Sequence, residues 1–138
     1  MRLNAFILPC CSALVLACAP WAASAQNRDD GLLSPQYNAC MDRFSNNNND
    51  MVRCMTGEAK RQDTRLNAAY KAAMGVQSPV RQKQLQAAQR LWVQFRDANC
   101  GFYNDPDGGT LARLAANDCV MTSTAQRAKE LEGFMPQQ

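Results

Sequence analysis

The chain has 138 residues, with 15 Lys or Arg, 12 Asp or Glu and no His, for a net charge of +3. So small a basic excess gives no ground for nucleic acid or an anionic membrane as partner. The lack of histidine excludes His-based triads and His metal sites and removes the most versatile general base near neutral pH, so the chain is not expected to be an enzyme.

The N-terminus reads as an export signal. Arg2 supplies the positive charge, Phe6 to Ala19 form an apolar stretch, and Ala23-Ser24-Ala25 gives an A-x-A cleavage site, which together predict a signal peptide over residues 1–25. The stretch is short of the about 20 residues that a membrane helix needs, and no later segment is apolar enough, so no transmembrane span is expected. Val15-Leu16-Ala17-Cys18 resembles a lipobox that would lipidate Cys18, but Leu16 fits poorly before the small residue. Cleavage near Ala25 is the preferred reading, and it places the product in the periplasm or outside the cell. That product has 113 residues (138 minus 25) and, without Arg2, 14 basic against 12 acidic side chains, or +2.

Removing the signal takes Cys10, Cys11 and Cys18 away, so seven cysteines become four. An even set in a short exported chain implies disulfides, with three possible connectivities. Cys40 and Cys54 straddle the turn-forming run Asn46 to Asn49, and Cys100 and Cys119 straddle Gly108-Gly109. A cysteine on each side of a short turn between helices is placed to pin a hairpin, which favours Cys40 with Cys54 and Cys100 with Cys119. With no histidine and no C-x-x-C in the exported chain, zinc is not expected, nor is any other metal or cofactor.

From residue 26 onward the period is helical throughout, predicting one all-α domain, residues 26–138 with a core about 34–132. Ser34-Pro35 opens a short first helix, Ser at N-cap and Pro at N1. The Asn run is a polar turn. A second helix presents Ala59, Asp63, Leu66, Tyr70 and Ala73 as its buried stripe, with Gly57 a weak point that could break it near Cys54. Ser78-Pro79 opens a third, whose Leu85, Ala88, Trp92, Phe95 and Asn99 put two large aromatics on the buried side. A fourth starts with Thr110 as N-cap and carries Leu111, Leu114, Met121, Ala125, Ala128 and Leu131. Residues 26–33 and 133–138 are expected to be loose tails. The sum is a small helical hairpin or bundle of three long helices and one short one, held by two disulfides.

Two groups of polar residues attract attention. Asp63 lies on the predicted stripe, where a lone carboxylate is costly to bury. Arg96, one turn beyond Trp92, is its expected partner in a structural ion pair. Asp105 and Asp107 lie two apart in Tyr103-Asn104-Asp105-Pro106-Asp107-Gly108-Gly109. The loop lacks the later oxygen ligands and closing Glu of a calcium loop, so it reads as a turn with solvated acids.

Asp63-Thr64-Arg65-Leu66-Asn67-Ala68-Ala69-Tyr70 and Leu85-Gln86-Ala87-Ala88-Gln89-Arg90-Leu91-Trp92-Val93-Gln94-Phe95-Arg96-Asp97-Ala98-Asn99-Cys100 carry a resemblance. They match the pattern D-x-x-L-N-x-x-Y followed by L-x-x-A-Q-R-x-W-x-x-[YF]-R-D-x-x-C. Gly108-Gly109-Thr110, Cys119, Arg127 and Leu131 supply its later features. Over roughly Cys40 to Leu131 the chain resembles the LprI N-terminal-domain-like family, exported helical proteins named for a lysozyme inhibitor. The resemblance implies binding and blocking of a lysozyme, with a protein as partner. The loop 101–109, with Tyr103, Asn104, Asp105 and Asp107, is the segment that such an inhibitor would insert into a sugar cleft. The other reading is an accessory module that binds an envelope protein through a helix face, and it calls for an exposed apolar patch.

Overall fold

Ser34 and Pro35 begin the order that a computed structural model describes over residues 31–135. Ser34 is extended and its hydroxyl accepts from the Tyr37 amide, so α1 runs Pro35–Phe44 with Pro at N1. Asn47 then caps α2, Asn48–Val76, its side-chain oxygen accepting from the Asn49 and Asp50 amides at 2.9 and 3.3 Å. The predicted Asn turn is therefore half turn and half helix start, because Asn is as good an N-cap as a turn residue. Ser78-Pro79 opens α3, Pro79–Tyr103, though the Ser78 side chain makes no capping bond. The last helix, α4, spans Gly109–Glu132 and is preceded by Gly108 at N-cap, not Thr110. Thr110 lies inside the first turn, where its hydroxyl accepts from Asn48 Nδ2. No strand occurs among the described residues.

The cysteine pairing that the turn spacing favours is the one formed. Cys40–Cys54 joins α1 to α2, with Cα atoms 5.8 Å apart, and Cys100–Cys119 joins α3 to α4 at 5.4 Å. Two stapled hairpins are thus joined by the short Gln77-Ser78 connection. They combine through α2 and α4, whose interface is the most extensive in the molecule, while α1 lies on α2 and α3 on α4. The partners run in step, Asn48 with Thr110, Thr56 with Asn117 and Arg65 with Glu132, so α2 and α4 are parallel.

The core explains that arrangement. Leu66 and Ala69 of α2 meet Ala128 and Leu131 of α4, with Tyr70, Leu85 and Trp92 packed against them. Alanines on both sides, including Ala73 and Ala125, let the two backbones approach closely. The buried stripe of α2 is Cys54, Met55, Glu58, Gln62, Leu66, Ala69 and Ala73. It shares Leu66 and Ala73 with the predicted stripe but is turned toward Gln62 and Ala69, leaving Asp63 exposed and Tyr70 half-buried. The bridge at Cys54 sets this register, since the face that meets α1 continues along every following turn.

Three other expectations change. Gly57 does not interrupt α2; the helix passes through it, held on both sides by packing that outweighs a cost of about 1 kcal/mol. Phe95 is not core: α3 buries fully only Cys100, and Phe95 points away from α4. Of the N-terminal tail expected to be loose, the described part is tied down at Leu32, whose carbonyl accepts from Gln62 Nε2 and Arg65 Nη1. The signal segment, Cys18, residues 26–30 of the N-terminal tail and residues 136–138 lie outside the described residues.

Candidate functional site

The loop between α3 and α4 is built by its own sequence. Asn104 ends α3, its amide donating to Gly101 O at 3.1 Å. Asp105 then closes the turn twice: its Oδ1 accepts from the Asp107 amide at 2.9 Å and its carbonyl from the Gly108 amide at 3.1 Å. Gly109 follows with φ +59°, a left-handed conformation that glycine adopts without strain. At Gly108 a Cβ would stand 2.7 Å from the Ala112 Cβ, so α4 can begin this close only on glycine. The Cys100–Cys119 bridge fastens the base. Tyr103, Asn104, Asp105 and Asp107 are all exposed, and no group of acids or cysteines fit to hold a metal ion occurs among the described residues. What the loop offers is a contact surface: one phenol, one amide and two carboxylates on a backbone whose shape is already set.

Asp63 and Arg96 are not brought together as a pair. Arg96 donates to Asp97 Oδ1 from Nε and Nη2 at 2.9 and 2.8 Å, reaches Thr124 Oγ1 at 3.4 Å, and lies over the Trp92 ring, 5.1 Å from its centre. Asp63 accepts from Asn67 Nδ2 at 3.0 Å. With Asp63 in solvent, the desolvation that would have demanded an arginine is absent. Both residues instead line an open groove of about 640 Å³ between α2 and α3, together with Asn67, Tyr70, Gln89 and Trp92. The two sequence blocks quoted above thus meet as groove walls, whereas sequence reasoning had given Trp92 and Tyr70 to the core. Each is in fact half in both: one side packs on the Leu66 cluster and the other edges the groove.

A family model for the lysozyme inhibitor LprI matches residues 40–131, most of the chain. This chain belongs to the lysozyme inhibitor LprI family. Comparison with curated proteins and with solved structures gives no match. The matched span of this LprI-family chain runs from the first bridging cysteine to the last buried leucine, so it takes in both disulfides, the loop and the groove. No described helix is long and apolar enough to cross a membrane.

One polar centre of the LprI-family chain was missed from sequence. Glu58 is fully buried, and its carboxylate accepts from the Ser34 amide at 2.7 Å, the Ser34 hydroxyl, Arg61 Nε at 2.7 Å and Gln62 Nε2 at 2.7 Å. Burial alone would raise its pKa; the bonds from Ser34, Gln62 and Arg61 outweigh that and hold it below the ordinary 4.5. The signal was present in the spacing. Glu58 lies one turn after Cys54, on the face that the first bridge turns toward the start of α1.

Proposed function

We propose that this chain binds and blocks a cell-wall-degrading lysozyme outside the cytoplasm, offering the 103–107 loop to the enzyme's sugar cleft. The observation that carries the reading is the disulfide-based loop: Tyr103, Asp105 and Asp107 are exposed on a backbone fixed by Gly108, Gly109 and the Cys100–Cys119 bridge. A loop ordered before contact loses less entropy on binding. Lysozymes are commonly basic, so two local carboxylates aid encounter although the exported chain as a whole is +2. Family membership supports the choice of target class.

The test is the rate of cell-wall lysis by lysozymes of goose, chicken and invertebrate type, with and without the oxidised protein. Stoichiometric inhibition of at least one type, weakened in Asp105→Asn/Asp107→Asn, is the expected outcome. Full lysis by every type at micromolar excess of the protein overturns the reading.

A second reading, a module that docks through a helix face, has its own observation. Leu91, Phe95 and Phe102 stand exposed along one side of α3.

A further inference from the structure

The two sides of α3 meet different surroundings. Inward, Gln82 donates to the Met74 and Gln77 carbonyls at 3.0 and 3.1 Å, Gln89 accepts from Arg127 at 2.9 Å, and Cys100 is bridged to α4. Outward, Val80, Leu91, Phe95 and Phe102 are 68, 66, 65 and 82 % exposed. Gln84, Ala87 and Ala98 complete their stripe. The steps from Val80 to Phe102 are 4, 3, 4, 4, 3 and 4 residues, about 3.7 per turn, so the stripe runs straight along the helix for about 33 Å. Four large apolar side chains exposed along one stripe of this length are unusual on a lone soluble domain.

Those steps read the same from either end, with Leu91 at the centre. We propose that this face joins two copies of the chain, α3 packing antiparallel on α3 of a second copy about a two-fold axis at Leu91. The alignment sets Leu91 against Leu91, the Phe95 ring against the small Ala87, and Phe102 against Val80, large opposite small on both sides of the axis. Charge selects the antiparallel direction. Arg81, Lys83 and Arg90 all lie in the N-terminal half of α3, while in the C-terminal half Arg96 is held by Asp97. A parallel pair would stack the three cations on their copies. The antiparallel pair places Arg81 and Lys83 of one copy at the opposite end from those of the other, with Lys83 facing the end that carries Asp97; Arg90, which borders both the α2–α3 groove and the surface of Ala87, Leu91 and Gln94, is the one of the three cations left near its copy at the axis. The two 103–107 loops then stand at opposite ends of the pair, so the association neither needs nor blocks the proposed inhibitory contact.

Sedimentation of the oxidised protein at high micromolar concentration is expected to give twice the monomer mass, and Leu91→Asp to give the monomer with unchanged helix content by circular dichroism. Because only the axial residue faces itself, Leu91→Cys is expected to cross-link to its own copy under mild oxidation, whereas Phe102→Cys is not. A monomeric mass for the unsubstituted protein, or equal cross-linking of the two cysteine variants, overturns the proposal. So does a monomer that floats with anionic phospholipid vesicles, which would give this face to a lipid surface instead.

Discussion

Arg65 grips Glu132 with two parallel hydrogen bonds, Nε to Oε1 and Nη2 to Oε2, each 2.7 Å, across the seam where α2 meets α4. The same guanidinium donates through Nη1 to Leu32 O at 3.2 Å and Gln62 Oε1 at 3.3 Å, so one side chain ties the N-terminal segment, α2 and the end of α4. The bond to Glu132 raises the Arg65 pKa, and the bond from Arg65 lowers that of Glu132. A carboxylate in the last turn of α4 faces the negative end of the helix dipole, and the fork compensates for it.

Arg65→Ala is expected to lower stability by about 1–2 kcal/mol, since the pair is bidentate but a third exposed. Arg65→Lys should recover only part of this, because an ammonium cannot reproduce the fork. Urea denaturation checks both; a midpoint unchanged in Arg65→Ala would mean that water replaces the clamp without loss.

Glu58 and Asp63 are expected to behave oppositely on truncation. Glu58→Ala strips a fully buried carboxylate from Ser34, Arg61 and Gln62 and should cost about 3 kcal/mol. Asp63→Ala removes an exposed group whose carboxylate accepts from Asn67 and should stay within about 0.5 kcal/mol. Equal losses in the two variants would contradict the register of α2 described above.

Acid should weaken the fold in a definite direction. Glu58 and Glu132 are both held below the ordinary value of 4.5, so the folded state binds their protons less readily than the unfolded state. Their contribution is complete above that value and is lost as pH falls through the lower folded pKa values. Urea midpoints followed from neutral pH into the acid range should decline there, and less so in Glu58→Gln. A flat profile through that range would show that the two carboxylates are not linked to folding.

Each bridge closes a short span, a sequence separation of 14 from Cys40 to Cys54 and of 19 from Cys100 to Cys119. Loops of this size stabilise by roughly 3 kcal/mol apiece, a large part of the about 5–15 kcal/mol typical of a domain. Reduction is expected to depress Tm sharply. Replacing Cys100 and Cys119 with Ser should also loosen the 103–107 loop and weaken any lysozyme inhibition beyond the effect on Tm, whereas replacing Cys40 and Cys54 should affect stability alone. Identical Tm with and without reductant would refute a stabilising role.

Asp105→Asn is expected to leave the loop intact, because an amide oxygen can still accept from the Asp107 amide. Asp105→Asn/Asp107→Asn should therefore shift Tm little while weakening a lysozyme complex about tenfold, mainly by slowing association. Association kinetics at two salt concentrations separate this from a loss of fold: a variant that binds as fast as the parent at low salt would remove the carboxylates from the contact.

The residues alone determined the helical class and the Ser-Pro starts of α1 and α3, and favoured, among three connectivities, the cysteine pairing that forms, because capping chemistry, period and the reach of a disulfide across a short turn are local matters. Cys40 to Leu131 also carried the family resemblance in its residue spacing. Which face of each helix is buried was decided only by tertiary structure. On α2 the apolar positions Leu66 and Ala73 suit two registers, and the choice of Glu58 over Asp63 fell to the bridge at Cys54 and the hydrogen bonds of Ser34. α3 carries apolar residues on two sides, and it was the parallel fit of α2 on α4 through alanines that left α3 packed by one side only, with Trp92 at a groove and Leu91, Phe95 and Phe102 in solvent. Periodicity shows that a helix has an apolar face; which neighbour covers it depends on how closely the other helices pack.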